Sequence, residues 1–185
     1  MYINLQKLNI LQMTNVIDYL EEISKLLRDV LRGVDSDGNS NGYVTSVHHP
    51  KDYESDRTTL KASSEWIDRR SYIIVGVLKK DTDGPIISIE PVDVGEIKID
   101  GQGSTCYDLV GGIWQIKIDA SAAKPNQRSW RDRISQQVLK SLADNEDTLF
   151  DQLDLVKLNF AKNNITDNDQ FIDIIQVNID MSLTK

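Results

Sequence analysis

The chain has 185 residues, a formal charge of −8 and 39% hydrophobic residues, so it is sized for one domain (1–185) that apolar burial alone can hold together. Its acidic balance argues against a general nucleic-acid binder, which needs clustered Lys and Arg to neutralise phosphates. No stretch approaches the roughly 20 apolar residues of a membrane helix, and the single cysteine, Cys106, excludes an internal disulfide and reads as a small apolar filler. The start, Met1–Asn9, has neither a basic region nor a continuous apolar run, so it does not read as a signal peptide, and a cytoplasm-like compartment is expected.

The clearest helix spans residues 15–32. Val16, Ile17, Leu20, Ile23, Leu27, Val30 and Leu31 recur every three or four residues and make one apolar stripe. Thr14 or Asn15 can cap its start, where Asp18, Glu21 and Glu22 suit the positive end, and Arg28 and Arg32 suit the negative end. Gly33 is a natural stop.

Residues 34–70 show no period and read as a long loop or insertion. Within it, Tyr43, Val44 and Val47 suggest a short strand, and Leu60–Trp66 a helical turn. Strands follow: Ser71–Leu78, ended by Asp83-Gly84-Pro85; Ile86–Glu90, stopped by Pro91; Glu96–Asp100, closed by Gly101-Gln102-Gly103; and Ile113–Asp119, introduced by Gly111-Gly112. In the last, Trp114, Ile116 and Ile118 alternate with Gln115, Lys117 and Asp119. Short strands and tight turns favour antiparallel pairing.

A second helix is predicted over Ser129–Ala143, with Ser129 and Asp132 resembling a capping box and Trp130, Ile134, Val138 and Leu142 forming its stripe. A short helix near Thr148–Leu153 leads to a strand at Leu155–Phe160, and Ile165–Asp169 reads as a turn. The final strand has Ile175, Val177, Ile179, Met181 and Leu183 on one face and Gln176, Asn178, Asp180 and Ser182 on the other.

Chemical motifs are few. Asp37–Gly42 matches the first half of a calcium loop, but the twelfth position is His48 in place of the bidentate Glu, so a surface loop is the better reading. His48-His49 lacks further ligands at zinc spacing and reads as a solvated pair. Gly101–Gly103 and Gly111-Gly112 open no helix and read as hairpin turns, not phosphate cradles. Arg128-Ser129-Trp130-Arg131-Asp132-Arg133 is the one dense basic spot. It is either a solvated helix start or an intersubunit contact, for which Arg and Trp are favoured anchors. No nucleophile elbow or cofactor motif is present, so no enzyme activity, cofactor or metal site is expected.

The order of elements carries a resemblance. Trp114-Gln-Ile-Lys-Ile-Asp-Ala120, the helix Ser129–Ala143 and the strand Phe171–Met181, together with residues 15–33 and the strands from 70 onward, resemble the tail terminator proteins of long-tailed bacteriophages, and more loosely their neck and head–tail joining relatives. The 34–70 insertion departs from that pattern. The resemblance implies an α+β domain with a mixed, mostly antiparallel sheet, two main helices on one face, and the second helix's preceding strand in one sheet with the last. It further implies a virion protein, assembled in the host cytoplasm, whose ring of usually six copies caps the tail tube, stops its polymerisation and docks the head connector. Its partners would be other copies of itself, the tube protein and a connector or neck protein, with DNA passing through an acidic lumen unbound. A ring of this kind needs two complementary patches on each copy. Arg128, Trp130, Arg131 and Arg133 form one candidate patch. Gln176, Asn178 and Asp180 form another, on a terminal strand expected to offer an edge. A head–tail adaptor is the alternative within this class, and a small ligand-binding or enzymatic domain, or a host interaction domain, lies outside it.

Overall fold

A computed structural model of the chain describes residues 16–76, 85–94, 98–99, 107–153, 155–167 and 170–181. The capping candidates Thr14 and Asn15, the turn residues Asp83, Gly84, Gly101 and Gly103, and Cys106, Ser182 and Leu183 lie outside the described residues. So do the side chains of Val16, Ile17, Asp18, Asp180 and Met181.

Among the described residues three α-helices, α1 (Val16–Arg32), α2 (Gln127–Asp144) and α3 (Glu146–Leu153), accompany six strands: β1 (Ile73–Val75), β2 (Ile86–Val94), β3 (Lys98–Ile99), β4 (Tyr107–Asp119), β5 (Leu155–Asp167) and β6 (Gln170–Met181). They form one mixed sheet in the order β1-β2-β4-β6-β5, with β3 paired to β4. The fold is the expected α+β class, with its two main helices on one face. Ile23, Leu27, Val30 and Leu31 of α1 and Ile134, Val138 and Leu142 of α2 share a core with Ile87, Ile89, Trp114, Ile116, Ile118, Ile175, Val177 and Ile179 of the sheet. Burial of that apolar set is the main force closing the domain. The alternation read from β4 and β6 therefore names the core face, and on the far face Gln115, Lys117, Gln176 and Asn178 are half-buried. Gly33, at φ +76°, ends α1 as expected, its N–H bonded to Asp29 O at 2.8 Å.

Several expectations are corrected. The last strand is not an edge: β6 pairs with β4 on one side and β5 on the other, so the outer strands are β1 and β5. β1 pairs parallel to β2, and only Ile73–Val75 of the expected Ser71–Leu78 strand is strand among the described residues; Ser71 and Tyr72 belong to a 3₁₀ turn and its cap. β2 runs on through Pro91 with a register shift between Pro91 and Asp93. Among the described residues β1 pairs no further than Ile89, so Pro91 lies past that pairing, where a missing N–H costs little. Ile165–Asp167 continues β5 instead of turning.

Gly111 and Gly112 are no hairpin turn but ladder residues inside β4, opposite Asp180 and Ile179. The indole of Trp114 folds back over Gly112, where an added Cβ would lie 2.6 Å from the ring. Glycine is required there by the tryptophan two residues on. α2 begins at Gln127, before Ser129, and its N-cap, Asn126, makes no side-chain cap bond, so the Ser129/Asp132 capping box does not form.

Candidate functional site

Residues 43–49 have no regular secondary structure, and the strand expected at Tyr43, Val44 and Val47 is absent, yet Tyr43, Val47 and His49 are buried. The segment is a strap laid along α2. Val44 N–H donates to Asn145 Oδ1 at 2.9 Å, Ser46 N–H to Ser141 Oγ at 2.8 Å, and His48 N–H to Gln137 Oε1 at 3.2 Å. Alternate amides of an extended chain advance about 6.6 Å, and every fourth helical residue advances about 6 Å. The two periods match over this span, so one row of helix side chains satisfies one edge of the strap. Asn145 also donates to Val44 O at 2.6 Å, and Gln137 donates to the Tyr53 hydroxyl at 2.6 Å.

Beyond the strap the chain turns on Asp52, which is buried and accepts the His49 N–H at 2.8 Å and the Ile67 N–H at 2.7 Å. The histidines are not solvated as expected. His49 is 5% exposed, and its Nδ1 accepts the Lys51 N–H at 3.1 Å. Burial pushes its pKa down to about 4, against the pull of Asp52. His48 packs edge-on against Trp66, ring centroids 4.5 Å apart, and burial, then Arg69, lower its pKa too. The expected helical turn in 60–66 is a single 3₁₀ turn, Ser63–Glu65. In the Asp37–Gly42 loop the hub is Asp35. It accepts the backbone N–H groups of Asp37 and Asn39 at 2.9 and 2.8 Å, and the side-chain amide of Asn41 at 2.8 Å. The Asn39 N–H contributes most to holding its carboxyl below the usual range. The loop thus closes on its own amides, and among the described residues no cluster of three His, Cys, Asp or Glu could hold a metal.

At the start of α2 the basic cluster divides into two layers. Trp130 and Arg131 lie inside, 7% and 5% exposed. Trp130 packs with Tyr53, Ala120, Ala123 and Phe171. Arg131 meets Asp173, a fully buried carboxylate on the helix side of β6, at 3.2 Å, and its terminal nitrogen reaches Asp132 at 2.7 Å. Lys162 of β5 and the Ser135 hydroxyl complete the shell of Asp173 at 2.8 and 2.5 Å. Lys162 and Ser135 both meet Oδ2, while Oδ1 has the charge of Arg131 beside it but no hydrogen-bond donor.

Arg128 and Arg133 form the outer layer. With Asn126, Asp132, Gln136 and Phe171 they line a groove of about 710 Å³. The Arg133 guanidinium lies 4.6 Å from the Tyr53 ring centre and 5.4 Å from that of Trp130, and donates to the carbonyl of Arg57. Among the described residues Arg128 makes no ion pair.

Of the residues named from sequence, Arg128 and Arg133 therefore share the groove, while Trp130 and Arg131 are buried and do not line it. Gln176 and Asn178 sit apart, on the far face of the sheet, and Asp180 lies farther along β6 opposite Gly111. The strap row, Gln137, Ser141 and Asn145, went unread. Its signal was available as three polar residues at four-residue spacing along α2 and its C-cap. No helix among the described residues is long and apolar enough to cross a membrane. No family model matches the chain, and no curated protein matches it.

Proposed function

We propose that this chain is the repeating subunit of a ring at the head-proximal end of a phage tail, where it caps the tube, stops its polymerisation and joins the tail to the connector. One observation supports the reading. The two strands that carry the resemblance, β4 and β6, pair throughout Val110–Asp119 in one sheet, with α1 and α2 packed on one side of them. That is the arrangement the resemblance implies, built from the residues that suggested it.

The role is structural, without catalysis or cofactor. The ring, of six copies by analogy with the family, contacts the tube protein below and a connector or neck protein above. DNA slides through its lumen, repelled by a subunit of charge −8. The protein belongs to the virion and assembles in the host cytoplasm. Native mass spectrometry with negative-stain microscopy tests this directly. Closed rings that bind the ends of tail tubes are expected, and a strict monomer at high micromolar concentration with no affinity for tubes would overturn it.

A further inference from the structure

We infer that copies of this chain join head to tail through the two ends of α2. The Arg128–Arg133 groove of one copy receives the acidic corner, Glu146, Asp147 and Asp151, of the next. The inference rests on the ring reading and names the surfaces by which the ring closes.

The charges at the two ends of α2 are opposite and largely unanswered among the described residues. At the N-terminal end Arg128 is exposed and without an ion pair among the described residues. Arg133 is oriented by the Tyr53 and Trp130 rings and by one carbonyl, leaving the rest of its guanidinium fork for a carboxylate. The acid in the groove wall, Asp132, is already engaged by Arg131 and does not cancel them. At the other end Asp144 is held by Lys140 at 2.6 Å, but Glu146, Asp147 and Asp151 are exposed and have no ion-pair partner among the described residues.

An 18-residue helix separates the two groups by about 27 Å, so within one copy they cannot pair with each other. For a subunit of charge −8, most face-to-face encounters are repulsive. The basic groove is the place where a second copy is welcome. Two different complementary patches make a heterologous contact, the kind that closes into a ring.

The experiment is a charge swap on the full chain, with assembly read by sedimentation velocity and folding by thermal melting. Arg128→Glu alone, and Asp147→Lys with Asp151→Lys, are each expected to raise the assembly midpoint about tenfold or more while leaving the melting curve in place. A chain carrying both changes is expected to regain assembly, because the complementarity is restored with its sign reversed. Unchanged midpoints in a wild type that does assemble would overturn the inference and leave the ring reading standing. A wild type that sediments as a monomer at every concentration would remove the ring reading, and this inference with it. Binding of inorganic phosphate in the groove, seen in the amide shifts of residues 126–136 without any change of midpoint in the Arg128→Glu chain, would assign the groove to a small anion instead.

Discussion

Asp173 shows what a single side chain can fix in this protein. It is the one carboxylate on the buried face of β6, and Arg131, Lys162 and Ser135 converge on it from α2 and β5. Asp173→Ala would leave Arg131 with Asp132 alone and release Lys162, at a cost of about 1–3 kcal/mol in chemical denaturation. Asp173→Leu with Arg131→Met should recover much of that loss. Gly112→Val is expected to cost at least about 1–3 kcal/mol, because the new side chain meets the Trp114 indole.

The histidines give a pH dependence with a definite sign. His49 is held neutral, with a folded pKa of about 4 against the ordinary 6.5. Between those values the unfolded chain takes up a proton that the folded chain refuses. Its contribution is therefore complete above pH 6.5 and is lost as pH falls toward 4, by about 2–3 kcal/mol. Denaturant titrations across that range should show the decline, and His49→Gln should flatten much of it. At this scale the sequence was partly legible. Alternation along β6 already placed Asp173 in line with Ile175 and Val177, and the basic cluster held Arg131. That the two meet is a tertiary fact, invisible to local pattern.

Among the elements, the strands and helices were readable wherever burial on one face imposes a period, which is why β6, α1 and α2 emerged close to their described limits, while β4 begins six residues earlier than Ile113, at Tyr107. Ile175→Asp or Val177→Asp is expected to abolish folding, with loss of the cooperative melt, since both sit at the centre of the core. The strap was illegible for the converse reason. Its order comes from α2, not from its own sequence, so residues 43–49 show neither period 2 nor period 3.6. Asn145→Ala removes both bonds to Val44 and should cost about 1–3 kcal/mol. Hydrogen exchange would locate the effect, with faster exchange at Val44 and Ser46 and little change in β4 or β6. The groove was half legible: its arginines were named, but the aromatic support from Tyr53 comes from the stretch that carried no pattern.

For the whole molecule, strand order was the least accessible level. Pattern distinguishes an inward from an outward residue but not a central from an outer strand, and β6 came out central. With β6 internal, Gln176 and Asn178 can meet a partner only through the far face of the sheet, not along an edge. If the ends of α2 carry the contact between copies, assembly should weaken steeply with salt, because exposed charge pairs are screened within about 8 Å at physiological ionic strength. Sedimentation at low and high sodium chloride checks this, and a salt-independent midpoint would point to an apolar contact elsewhere.

The matched periods of strap and helix bear on variation in length. Substitutions within Val44–His48 keep the donors in place, since the bonds use backbone N–H groups. One inserted or deleted residue there would shift the register by one and turn side chains such as the buried Val47 to the opposite face, because successive residues of an extended chain face opposite ways. Natural indels and engineered tags should therefore be tolerated at the Asp35–Gly42 and Asp56–Thr59 turns and refused in the five residues that are keyed to α2.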